Sequence, residues 1–287
     1  MADSDYDRSA EDVGNIVMLE HVNLTVADLG IAALFYVTGL GFTRDPYMDF
    51  GTFNMWVNLG EQQFHLPRVR SGSESQKLRG HIGVVVPNLE DLEKRLAFIA
   101  KPMADTQFGW EQRDDHIALS CPWGNQIRAY PAGSFPLMDL GMPYVDLQVP
   151  PGTAPGIARF YRQVLDCPAH AVSGMATVKM GYNQQLRFSE TDESIDDYDG
   201  HHIAIYVANF SSAHQYLAER DLITEESDRF QYRFQAIVDP ETGQTLTEIE
   251  HEVRSLSHAM YHRHLVNRNP AVNFFTYRKG NEIFTPS

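Results

Sequence analysis

Over residues 19–42 the chain first alternates and then changes period. HVNLTV, from His21, puts apolar and polar residues on opposite sides at period two, the pattern of a half-buried strand. Asp28 follows as a helix N-cap candidate. Ile31, Leu34 and Phe35 then recur at helical spacing until Gly39 and Gly41 stop the run. TFNMWVNLG and QQFHLP, joined by a Gly-Glu turn, read as further strands. The same order returns three more times. GHIGVVVPNLEDLEKRLAFIA, from Gly80, predicts strand, turn and helix and ends in the hairpin HIALSCPWGNQIRAYP. PYVDLQV, a helix over 156–165, ATVKMGYN and QQLRF form the third set. HHIAIYVANFSSAHQYLAERD and FQAIVDPETGQTLTEIE form the fourth.

The sets repeat in register. Phe35 and Phe160, Gln62 and Gln184, and His81 and His202 are pairs displaced by roughly 120–125 residues, so one repeat distance fits all three landmarks. The pattern predicts an α+β fold of four βαβββ units, each of about fifty residues. A single unit leaves an apolar face open, which pairing with another unit buries. Neighbouring units are expected to pair. That divides the chain into an N-terminal domain over 16–133 and a C-terminal domain over 142–253. A disordered leader over 1–15 and an extension over 254–287 flank them, the extension's LVNRNPAVNFF being expected to lie extended over the second domain.

Charge removes two classes of partner. A net charge of −15 repels nucleic-acid backbones and anionic membrane surfaces, so neither is expected. Two cysteines, Cys121 and Cys167, are too few for a disulfide framework and read as reduced thiols. The N-terminus lacks a signal pattern and the apolar runs are strand-sized, which predicts a cytoplasmic protein; a monomer or homodimer is expected.

The ordered pattern HVNLTVADL, FYVTGLGF, QFHLP, GHIGVVVPN and CPWGNQIRAY, present in two copies, resembles the glyoxalase, bleomycin-resistance and extradiol-dioxygenase proteins of the vicinal oxygen chelate superfamily. The resemblance covers residues 18–252. It implies that paired units form open barrels, each cupping a divalent metal held from the first and last strands of each unit. In the N-terminal half those positions fall on His21, His65, His81 and Arg128. The family often has Glu at the two last-strand positions, which here are His65 and Arg128. In the C-terminal half they fall on Tyr144, Arg187, His202 and Thr247.

The resemblance therefore implies a metal on His21, His65 and His81. With 12 histidines in 287 residues, three of four such positions being His is not expected by chance. Imidazoles suit iron, zinc, nickel or manganese, and three of them leave coordination positions open. Arg128 stays protonated, so it is expected to clamp a substrate oxygen instead. Asn23 and Gln63 share strand faces with His21 and His65 and either contact substrate or line the barrel. A second site from His202, Asp146 and Glu248 is conceivable. The expected function is a metal-dependent enzyme on a small oxygenated molecule, by lyase or isomerase chemistry or by oxygen insertion. The alternative is a metal-free protein that binds or sequesters a small molecule. No general base stands out.

Overall fold

The computed structural model describes residues 7–49, 52–70, 73–265, 271–272 and 275–278. Four βαβββ units follow one another. The first is β1 (Ile16–Asn23), α1 (Leu29–Ala32, continued by a π-helical stretch over Ala33–Gly39), β2 (Thr43–Asp49), β3 (Asn54–Leu59) and β4 (Gln62–Pro67). The second is β5 (Gly80–Val86), α2 (Leu89–Ala100), β6 (Gly109–Gln112), β7 (Ile117–Ser120) and β8 (Gln126–Pro131). The third is β9 (Gly141–Val149), α3 (Ala154–Gln163), β10 (Ala169–Val172), β11 (Met175–Met180) and β12 (Gln184–Glu190). The fourth is β13 (His202–Val207), α4 (Phe210–Ala218), β14 (Ile223–Asp228), β15 (Gln231–Val238) and β16 (Thr245–Ser255). Asp28 caps α1, its Oδ1 accepting from the Ile31 N–H at 2.8 Å.

Within each unit the first strand pairs in parallel with the last. Between units the pairing is not between neighbours. β1 runs antiparallel to β13, joining the first unit to the fourth in one eight-stranded sheet, β14-β15-β16-β13-β1-β4-β3-β2. β5 runs antiparallel to β9, joining the second to the third in β10-β11-β12-β9-β5-β8-β7-β6. Neither sheet closes into a barrel. This corrects the expected N-terminal domain over 16–133 and C-terminal domain over 142–253: the outer pair of units encloses the inner pair.

The physical reason lies at the strand edges. All four units offer the same first-strand edge, and its side chains decide which edge it accepts. Gly80, at φ +142°, lies so close to β9 that a Cβ there would stand 2.0 Å from the Asp146 carbonyl oxygen. A Cβ on Gly83 would meet the Tyr144 ring at 2.4 Å. Two glycines thus shape β5 for β9.

Strand alternation sorts the faces. Ile82, Val84 and Val86, Val145, Leu147 and Val149, and Leu186 and Phe188 join residues of all four helices in one continuous buried core that includes both sheets. Each large side chain so buried is worth about 1.5–3 kcal/mol. The other face of each sheet is polar. Two glutamines at equivalent repeat positions tie the sheets together. Gln184 accepts from the Leu19 N–H at 3.1 Å and donates to the carbonyls of Leu19 (2.9 Å) and Met142 (3.0 Å). Gln62 accepts from the Met142 N–H at 3.1 Å.

Met1–Tyr6 of the expected leader lie outside the described residues. Residues 8–11 form a 3-10 turn, and buried Asn15 exchanges hydrogen bonds with Asn209. Much of LVNRNPAVNFF also lies outside the described residues. On either side of it, the chain packs on the first sheet: Tyr261 on Tyr206 (ring centroids 4.8 Å apart), and Met260 and Tyr277 on Trp56. No helix among the described residues is long and apolar enough to cross a membrane.

Candidate metal centre

The site forms where β1 meets β13 on the polar face of the first sheet. Leu19 faces Ile205 and His21 faces Ala204, so Glu20 is an extra residue in β1 and makes a bulge. Such a bulge re-aims side chains. Here Glu20 and His21, adjacent in sequence, reach each other, with Oε2 of the carboxylate 3.0 Å from His21 Nδ1. Asn23 faces His202, the first residue of β13. On the other side of β13, His202 faces Glu250 and Ala204 faces Glu252 of β16. One ligand atom each from His21, His202 and Glu252 all lie within 4.8 Å of one another. His202 Nε2 stands 3.5 Å from Glu252 Oε2, and its Nδ1 stands 3.4 Å from Glu250 Oε1.

Electrostatics prepares His21 as a ligand. Burial, outweighing its bond to Glu20, lowers its pKa to about 4, so the ring is neutral near pH 7. Glu20 is buried too, which raises a carboxyl pKa, yet Arg254 and His21 bring it down to about 2. The permanent carboxylate fixes the proton on Nδ1 and leaves the Nε2 lone pair free. That Nε2 is buried and has no hydrogen-bond partner among the described residues.

Glu252 also stays ionised: burial raises its pKa, and the attraction of Arg254 with the bond from His202 more than offsets that. Its two oxygens meet Arg254 and Arg233, which also bind Glu20 and Glu250 respectively. Three carboxylates against two guanidiniums leave one negative charge in excess around His21 and His202. The donor set fits a divalent ion: two imidazoles, one of them bringing the otherwise orphaned buried Nε2 of His21, and one carboxylate.

Of the residues expected from the sequence, the structure brings His21 and His65 together and leaves His81 elsewhere. His65 is sandwiched, 3.5 Å from the His21 ring centroid and 3.6 Å from that of Trp56, nearly parallel to both. Imidazole lone pairs lie in the ring plane, so a stacked His65 buttresses His21 and is not one of the three converging donors. His81 sits on β5 of the second sheet, opposite Asp146, because β5 took β9 as its neighbour. Arg128 is beside it on β8.

Gln63 is held by Asp45, Asn58 and His65 and is a clamp inside the face. Asn23 lies between His202 and His65. The conceivable second set is not assembled: His202 and Asp146 are on different sheets, and Glu248 bonds Gln235 at 3.1 Å. Glu252, the donor that sequence reasoning missed, was four residues beyond Glu248. The stripe of charges at 248, 250, 252 and 254, alternating along a strand, was the available signal.

The sequence matches no family model and no curated protein. Solved structures do match. Glyoxalase I from Zea mays superposes with a TM-score of 0.58 over 83% of this chain and 92% of its own, at 14% identity. A putative dioxygenase from Bacillus subtilis subsp. subtilis str. 168 superposes with a TM-score of 0.56 over 86% and 88%, at 12% identity. The arrangement of units is therefore the vicinal oxygen chelate fold that the sequence pattern resembles.

Proposed function

We propose, from that fold and this site, a metal-dependent enzyme acting on a small oxygenated organic molecule, its ion held by His21, His202 and Glu252. The observation that carries the reading is the buried, unpartnered Nε2 of His21, pointed at two further donors by a carboxylate behind it. Bound there, a divalent ion would supply Lewis-acid polarisation of substrate oxygens. The chain's own groups do the rest. Glu20 holds the His21 tautomer, while Arg254 holds Glu20 and Glu252 in place and keeps both ionised. His65 and Trp56 form a stacked wall beside the donors, and Met260 and Tyr277 cover Trp56 from solvent. Two imidazoles and one carboxylate are the donor set of non-haem iron oxygenases. This favours oxygen insertion over glyoxalase-type lyase or isomerase chemistry, for which zinc or nickel would be expected.

One observation favours the alternative, a metal-free binding protein: Arg233 and Arg254 already occupy Glu252, so an ion must share that carboxylate. Elemental analysis of the purified protein separates the two. About one equivalent of iron, zinc, nickel or manganese per chain is expected, lost on His21→Ala or His202→Ala and retained on His81→Ala. No metal after incubation with each ion, or full metal content in His202→Ala, overturns the reading in favour of the alternative.

A further inference from the structure

The two sheets are copies of one design, and their registers align residue by residue. On the first sheet His21 faces Ala204, Asn23 faces His202 and His65, and Ala204 faces Glu252. On the second, Tyr144 faces Gly83, Asp146 faces His81 and Arg187, and Gly83 faces Arg128. Tyr144, His81 and Arg128 thus stand where His21, His202 and Glu252 stand, and Arg187 stands where His65 does. One donor of the metal set survives. The carboxylate has become a guanidinium, and so has the stacked imidazole. Where the first face gathers carboxylates in excess of arginines, the second sets Arg128 and Arg187 against the single carboxylate of Asp146.

These cations are available. Arg128 is exposed and makes no hydrogen bond or ion pair among the described residues. Arg187 lies flat on the Tyr144 ring, 4.0 Å from its centroid, with only its Nε hydrogen-bonded, to Gln185 at 2.9 Å. Tyr144 is fixed in turn by Tyr130, hydroxyl to hydroxyl at 2.9 Å, and its ring has room because β5 carries Gly83. The face opens into a cavity of about 960 Å³ lined by His81, Gln126, Arg128, Asp146, Gln148 and Ser189; Arg187 opens on a second cavity of about 510 Å³, and its charge, like that of Arg128, reaches His81 and Asp146 between them. At the rim of the larger cavity Arg113 pairs with Glu111, Asp115 lies 2.6 Å from His116, and Asp114 adds a further carboxylate. His81 makes no hydrogen bond among the described residues and faces the same cavity.

We propose that the polar face of the second sheet is a separate binding site for an organic oxyanion, a carboxylate or phosphoryl group held by Arg128 and Arg187. Guanidinium offers paired N–H donors at the spacing of such oxygens, and a cavity wall limits competition from water. The site needs no metal, so its fate is independent of the first sheet's.

The test is isothermal titration calorimetry on the full chain, stripped with a chelator and held in a cationic buffer, with malonate and inorganic phosphate as probes. One saturable site per chain is expected. Arg128→Gln and Arg187→Gln should each weaken binding by roughly tenfold or more, the weight of a charge-assisted hydrogen bond, and Arg128→Lys should weaken it less. His21→Ala should leave it unchanged. Arg128 has no partner to lose, so Arg128→Gln reports binding without a folding defect. A preference between the probes separates carboxylate from phosphoryl ligands. Failure of both probes to saturate, wild-type affinity in Arg128→Gln, or loss of binding in His21→Ala overturns the proposal.

Discussion

His21 and His81 occupy the same kind of strand position and are both held near pKa 4, for different reasons. At His21 burial acts against an adjacent carboxylate. At His81 burial acts together with Arg128, Arg187 and His116, with Asp146 and Tyr144 also facing it. A histidine whose folded pKa lies below the unfolded value of 6.5 leaves stability intact above pH 6.5 and removes it as pH falls toward 4. Urea unfolding at pH 7 and pH 5 should therefore show a smaller acid-induced loss in His81→Gln than in the unsubstituted chain. An equal loss in both would mean that the arginines are too well solvated to act on the ring. At this scale the sequence was informative where alternation decides: His21 and His65 do share a face. Glu252 was hidden by an anchor placed on Thr247. Carrying Arg128 forward by the repeat distance of roughly 121–125 residues lands between Ile249 and Val253, a window that holds both Glu250 and Glu252.

The elements themselves were legible. Asp28 caps the first helix as its position before an apolar run predicts, and strands and helices come in the order the periods announce. The edges were not legible, since hydropathy marks the faces of a strand and not its edges, and the bulge at Glu20 leaves no trace in it. The paired glutamines show what such edges depend on. Gln184 satisfies both backbone groups of Leu19 and the carbonyl of Met142, all buried. Gln184→Ala strands those groups at the junction of the sheets and should cost on the order of 2–3 kcal/mol, read from the urea midpoint at unchanged m-value. A change under about 0.5 kcal/mol would mean that water replaces the amide.

For the molecule as a whole, the pairing of first with fourth and second with third units is the largest departure from what the repeat suggested. A repeat states that units are alike and not which of them meet. Tandem domains would let 1–133 fold alone and bind metal. In the observed arrangement β1 in that fragment lacks β13, and the donors His202 and Glu252 are absent. The fragment 1–133 should bind no metal and melt without a cooperative transition, and adding 134–287 should restore both. A cooperative, metal-loaded 1–133 would refute the pairing.

That nesting also sets a timetable. A ribosome delivers His21 roughly 230 residues before Glu252, and chains fold as units when enough of them has emerged. The inner sheet has all its strands once β12 is out, while β1 must wait, its edge unmatched, for β13 to follow. The proposed metal centre is thus complete only once β16 has emerged. A nascent chain that has not yet reached Glu252 lacks one of the three donors, so loading of the proposed centre waits for β16.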